Sequence, residues 1–140
     1  MGDKNTFTVL VMDDDTDVLE MIELGLSRIK EMELITSFAS DGAEGLKLCT
    51  QFEFDAVITD YFMPNMDGIE FIKKFRKIEM YKSTPIIFTT GYFSELDFKK
   101  NEHLFEDVIF LEKPYQFSKM ASFLKIYLEG PELKSGSKST

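Results

Sequence analysis

The chain has 140 residues, of which 44% are hydrophobic and 29% charged, enough for one globular domain with a buried core and too few for two. Sixteen Lys and Arg against twenty-five Asp and Glu give a formal charge of −9, a surface that repels phosphate backbones and anionic lipid, so no direct binding to nucleic acid or membrane is expected. The single cysteine, Cys49, has no internal partner for a disulfide, which points to a reducing, cytoplasmic compartment.

The first predicted element is Thr6–Met12 (TFTVLVM), an apolar run of strand length. It comes after a polar start that lacks the basic segment and long apolar core of a secretory leader. Val18, Ile22, Leu26 and Ile29 then recur at helical spacing, and residues 34–38 (LITSF) form a second strand. Asp41 followed three positions later by Glu44 is a capping signal that opens a second helix, with Cys49 as a small apolar filler on it. Residues 56–59 (AVIT) form the third strand. Asp67 with Glu70 repeats the capping signal ahead of Ile69, Ile72 and Phe75. Two more strands come at 85–89 (PIIFT) and 108–111 (VIFL), and Phe117, Met120, Leu124, Tyr127 and Leu128 mark a last helix. After Gly130 and Pro131 the segment 132–140 (ELKSGSKST) has no apolar face, so residues 1–130 are expected to fold and 131–140 to form a disordered polar tail. Strands alternating with helices imply right-handed crossovers and a five-stranded parallel sheet covered on both faces, a small doubly wound α/β domain.

Ligands of such sheets bind beyond the carboxyl ends of the strands. The first strand runs into Asp13-Asp14-Asp15, the third into Thr59-Asp60, the fourth into Thr89-Thr90-Gly91, and the fifth into Glu112-Lys113-Pro114. Asp15, Thr16 and Asp17 are explained as caps and first-turn acids of the next helix. Asp13 and Asp14 are not, because adjacent carboxylates at a strand end repel unless a cation neutralises them. Few carboxylates completed by water and a phosphate oxygen suit magnesium. A calcium loop counted from Asp13 fails, since its sixth position is Val18 where Gly is needed and its twelfth is Leu24 where Glu is needed. Asp60, alone, could simply accept turn hydrogen bonds. Beside two acids and a cation it becomes a nucleophile toward phosphorus, with the Thr90 hydroxyl and the Lys113 ammonium as partners for the phosphoryl oxygens.

These residues resemble the receiver domain of bacterial two-component response regulators over residues 6–129, the chemotaxis regulators among them. The resemblance is carried by Asp13-Asp14, by Asp60 with Met63-Pro64 and Asp67-Gly68, by Thr90-Gly91 and by Lys113-Pro114. It implies the flavodoxin-like strand order 2-1-3-4-5. It also implies Asp60 as phosphoacceptor, and magnesium (or manganese) held by Asp13, Asp14, Asp60 and the backbone carbonyl of Phe62. Thr90 and Lys113 would contact the phosphoryl group, the Lys113-Pro114 peptide would be cis, and Phe110 would be the aromatic that turns inward on activation. By the same resemblance the protein is a phosphorelay signalling switch and not an enzyme, beyond catalysing its own phosphotransfer and dephosphorylation. Its partners would be a histidine kinase or histidine phosphotransfer protein and a downstream protein target. It would act as a monomer or as a homodimer formed on activation.

The chain departs from the common pattern in three places. Phe62 and Tyr92 are bulky where they flank the phosphoryl site, and they are expected to control water access to it. The stretch 102–107 (EHLFED) has no Gly-Ala turn ahead of the last strand. Two other functions compete with the switch. A haloacid-dehalogenase-like phosphatase also uses an aspartate nucleophile, but it wants Asp-x-Asp-x-Thr or Val after the first strand, and neither Asp13 nor Asp14 starts that pattern. A docking module that is never phosphorylated would have no need of all five site residues. His103 lies in a mixed polar stretch and receives no role. Phe98, Phe105 and Tyr115 are either exposed aromatics of an output surface or core.

Overall fold

A computed structural model describes residues 5–91 and 94–138 of the chain, with side chains through residue 129; Tyr92 therefore lies outside the described residues. Five strands, β1 (Thr6–Met12), β2 (Glu33–Ala39), β3 (Ala56–Asp60), β4 (Ile86–Thr90) and β5 (Val108–Glu112), alternate with five helices. These are α1 (Thr16–Ser27), α2 (Gly42–Cys49), α3 (Gly68–Phe75), α4 (Glu95–Asn101) and α5 (Phe117–Lys138). All strand pairings are parallel and the order is β2-β1-β3-β4-β5. Each strand lies within one residue of its predicted bounds. The last helix does not stop as predicted. Its backbone continues past Gly130 and Pro131 to Lys138, where the sequence was expected to leave the helix, although no apolar face is available there to explain it.

The sheet divides its side chains between two faces by the two-residue period of a strand. Leu10, Met12, Val57, Ile86 and Phe88 point to the face covered by α2 and α3, where Phe71, Ile72, Phe75 and Tyr81 complete one core. Val9, Val11, Ile58, Ile87 and Leu111 point to the other, against Ile22 and Leu26 of α1 and Met120 and Leu124 of α5. Both predicted capping pairs are in place. Asp41 accepts from Glu44 N at 2.8 Å and Asp67 from Glu70 N at 2.9 Å. By contrast α4 buries none of its residues, and its Phe98 ring lies 5.5 Å from Phe105 and 5.7 Å from Phe110.

The turn into β5, which lacks a glycine, is made by Asp107 at φ 61°, whose carbonyl accepts from Ile86 N at 3.1 Å. Asp tolerates the left-handed region because its short side chain can bond locally, whereas a β-branched residue cannot. Asp107→Val is expected to lower stability in urea denaturation by about 1–2 kcal/mol, and Asp107→Gly to stay within about 0.5 kcal/mol of the parent. The same turn is fastened from below by Arg76, whose guanidinium donates to the carbonyls of Tyr81 (2.9 Å), Thr84 (2.7 Å) and Glu106 (3.0 Å).

Candidate functional site

The parallel register carries the polar strand ends to one edge. Met12 pairs with Thr59, Asp60 with Thr89 and Thr90 with Glu112, so the polar residues at the ends of neighbouring strands emerge side by side. Asp13 is 3% exposed and Asp60 8%, while Asp14 reaches solvent. One carboxylate oxygen from each of Asp13, Asp14 and Asp60 falls within 4.8 Å of the others.

Lys113 faces this group from the end of β5. Its Nζ lies 3.2 Å from Asp60 Oδ1 and 3.8 Å from Asp13 Oδ2. Lys113 is placed by its own backbone N–H, which donates to Thr90 O at 2.8 Å, and it precedes a cis peptide to Pro114. Asp60 Oδ1 also accepts from Tyr61 N at 2.8 Å. Asp13 Oδ1 accepts from Asp15 N at 2.9 Å. That bond and Lys113 do not offset burial: desolvation, together with the charges of Asp60 and Asp14, pushes the Asp13 carboxyl up to about 6. Among the described residues one ammonium faces these three acids, and the excess negative charge would favour a bound cation. The donors are all hard oxygens and few, so they fit Mg2+ completed by water and an anionic ligand.

Thr90 is 4% exposed at the end of β4. Together with Phe98, Phe110 and Glu112 it lines a cavity of about 380 Å³. Phe110 is half-buried there, edge-on to Phe88 at 5.5 Å and to Phe105 at 4.9 Å. Phe62 stands two residues after Asp60, with 66% of its surface exposed, and its ring stacks on Tyr61 at 4.4 Å. Of the three aromatics expected either on an output surface or in the core, Phe105 is core at 9% exposure and Phe98 is partly exposed at 38%. Tyr115 lies half-buried near the acids. Burial first, then the charges of Asp13 and Asp60, raise its phenol above the usual range.

Asn65 escaped the sequence reading. It takes φ 66° and donates from Nδ2 to Asp41 Oδ2 at 2.8 Å. The only signal was Asn in a Pro-Asn-Met turn, a residue type that accepts left-handed backbone.

Residues 9–125 match the family model described as the response regulator receiver domain. The chain belongs to the response regulator receiver family. A probable C4-dicarboxylate response regulator of Priestia megaterium is 29% identical over 89% of this chain and 53% of its own length. The transcriptional regulatory protein PrrA of Mycobacterium tuberculosis is 42% identical, over 51% of this chain and 29% of its own. The chain thus spans about half the length, or less, of these curated relatives. The chemotaxis protein CheY4 of Vibrio cholerae, a solved structure, superposes with a TM-score of 0.77 at 28% identity, covering 87% of this chain and 98% of that one. A receiver domain from Francisella gives a TM-score of 0.75 at 27% identity, with 88% and 97% covered. Receiver domains are signalling switches and not classical enzymes, bind Mg2+ at an acidic pocket, and interact with histidine kinases and downstream effectors. Among the described residues of this receiver, no helix is long and apolar enough to cross a membrane.

Proposed function

We propose that this receiver is a phosphoacceptor switch in a two-component phosphorelay, with Asp60 as the residue that takes the phosphoryl group. The observation that carries the reading is the convergence of the Asp13, Asp14 and Asp60 carboxylates on one ammonium that pairs with two of them, Lys113 Nζ lying 3.2 Å from Asp60 Oδ1 and 3.8 Å from Asp13 Oδ2. In the transfer, a carboxylate oxygen of Asp60 forms the new P–O bond while the P–N bond of a phosphohistidine breaks, and the departing imidazole takes up a proton. Asp13, Asp14, Asp60 and the Phe62 carbonyl would hold Mg2+, which would supply charge neutralisation and alignment for the phosphoryl oxygens.

Lys113 pairs with Asp60 and Asp13 before transfer and exchanges those partners for a phosphoryl oxygen afterwards. The Thr90 hydroxyl contacts another phosphoryl oxygen. Its movement toward the phosphoryl group enlarges the cavity above Phe110, and the ring turns inward, shifting the population of β4, β5 and α4 toward a second arrangement. That α4 buries none of its residues and touches Phe110 through the Phe98 ring supports its part in the change. Phe62 screens the acyl phosphate from water and so lengthens its life.

The donor is a histidine kinase or a histidine phosphotransfer protein. The target is another protein, reached by the monomer or by a homodimer formed on activation. The switch works in the cytoplasm. The test is incubation with acetyl phosphate, with Mg2+ or with excess EDTA, and then measurement of the intact mass. A gain of one phosphoryl group in Mg2+ alone supports the reading, and no gain in either favours a docking module that is never phosphorylated.

A further inference from the structure

The segment between Asp60 and α3 carries the Phe62 carbonyl and the edge of the acidic site and forms no regular structure, with Phe62, Pro64 and Asn65 exposed and Met63 buried. Besides Met63, buried in the core, and Tyr61 N, which donates to Thr89 O at 3.1 Å, two sets of hydrogen bonds hold it. On one side Gly68 N donates to Tyr61 O at 2.9 Å, which closes the loop on itself. On the other, the loop is fastened to the start of α2, an element that contributes no group to the site. Asn65 Nδ2 donates to Asp41 Oδ2 at 2.8 Å, and Gly42 N donates to Met66 O at 3.0 Å. The approach is close enough that a Cβ on Gly42 would lie 2.8 Å from Met66 Cγ and 3.0 Å from Met66 O.

Asp41 is suited to this task beyond its role as a cap. It is 9% exposed, and its two oxygens are divided: Oδ1 accepts from Glu44 N at 2.8 Å and Oδ2 from Asn65. The hydrogen bond from Asn65, then that from Glu44 N, holds its carboxyl below the ordinary range, so it remains a charged acceptor at neutral pH. A helix cap needs one oxygen only. The second oxygen is committed to a residue 24 positions away, whose φ of 66° is a conformation that non-glycine residues rarely adopt.

We propose that Asp41 and Asn65 form a positioning pair for the magnesium site, fixing the backbone path that presents the Phe62 carbonyl. The proposal rests on the phosphoacceptor reading above. Groups that orient metal ligands without touching the ion typically change metal affinity about 10–100-fold when removed. Neither Asp41 nor Asn65 is itself within the acidic group, so the pair acts through the loop.

Two substitutions isolate the contact. Asn65→Gly keeps the left-handed backbone accessible and removes only the side-chain bond. Asp41→Ser keeps an oxygen to cap α2 and removes the acceptor for Asn65. Mg2+ affinity is read by calorimetry on the full chain, and thermal unfolding is monitored in EDTA, so that metal binding and fold are measured separately. Each variant is expected to bind Mg2+ about tenfold more weakly, with its metal-free unfolding curve close to the parent's and with the double variant no weaker than either single one. Variants that bind Mg2+ as the parent does overturn the positioning role and leave the phosphoacceptor reading intact. Losses that add in the double variant overturn it as well, because they show two independent effects. A parent that does not bind Mg2+ overturns both.

Discussion

Asp13→Asn is expected to weaken Mg2+ binding about 100-fold and, in the same protein without metal, to raise stability at neutral pH by about 2 kcal/mol. The two effects have one cause. Asp13 is buried next to Asp60 and Asp14, and its carboxyl is pushed up to about 6 with desolvation as the largest contribution. A group whose folded pKa lies above its unfolded value binds protons more tightly in the native state, so folding stability falls as pH rises through that interval. For Asp13 the interval runs from the unfolded value of 3.8 up to about 6, and at pH 7 the whole penalty is present. An amide side chain keeps the acceptor for Asp15 N, removes the charge, and leaves Lys113 paired with Asp60. Metal-free Asp13→Asn should therefore show a flatter stability profile between pH 4 and about 6 than the parent. Urea denaturation in EDTA across that range measures the stability arm, and calorimetric Mg2+ titration the other. A variant that is less stable than the parent at neutral pH would remove the electrostatic argument for a cation site.

Phe88→Ala is expected to lower stability by about 3–5 kcal/mol, a large part of the roughly 5–15 kcal/mol typical of a domain. Phe88 is fully buried on β4, and its ring lies 5.7 Å from Tyr61, 6.3 Å from Phe105 and 5.5 Å from Phe110. It also fills the space left by Gly68, where a Cβ would stand 2.6 Å from the Phe88 ring and 2.5 Å from the Asp60 carbonyl oxygen. The ring is thus shared between the core, the start of α3 behind Asp60, and the aromatic group around Phe110. Phe88→Leu, which keeps an apolar side chain with less lost volume, should cost about 1–1.5 kcal/mol. Equilibrium unfolding in urea separates the two variants.

The sheet and its site were legible from sequence for different reasons. Strands buried on both faces must be short and continuously apolar, so TFTVLVM, AVIT and PIIFT stood out, and a parallel sheet carries the residues after such runs to one edge. Asp13, Asp14, Asp60, Thr90 and Lys113 could be selected because polar residues at the ends of apolar strands are conspicuous. The latch between Asp41 and Asn65 could not, since it joins residues 24 apart whose local explanations, a helix cap and a turn, were already sufficient. Arg76 gave no sign of its clamp on Glu106, 30 residues away, because its acceptors are backbone carbonyls that exist at every position. Gly68 read as the first residue after a cap, and the close approach of the Asp60 carbonyl and the Phe88 ring explains why a side chain is excluded there. The end of α5 lies beyond its expected place because Gly130 and Pro131 are stop signals by propensity, and propensity is a weak guide to helix ends.

The central claim is that Asp60 carries the phosphoryl group, and the chemistry of an acyl phosphate allows it to be located directly. After phosphorylation with acetyl phosphate and Mg2+, borohydride reduces the acyl phosphate and turns the phosphorylated aspartate into homoserine, which peptide sequencing by mass spectrometry assigns to one position. The account predicts homoserine at position 60 in the parent and none in Asp60→Ala. Homoserine at position 13 or 14, or its persistence in Asp60→Ala, would contradict it.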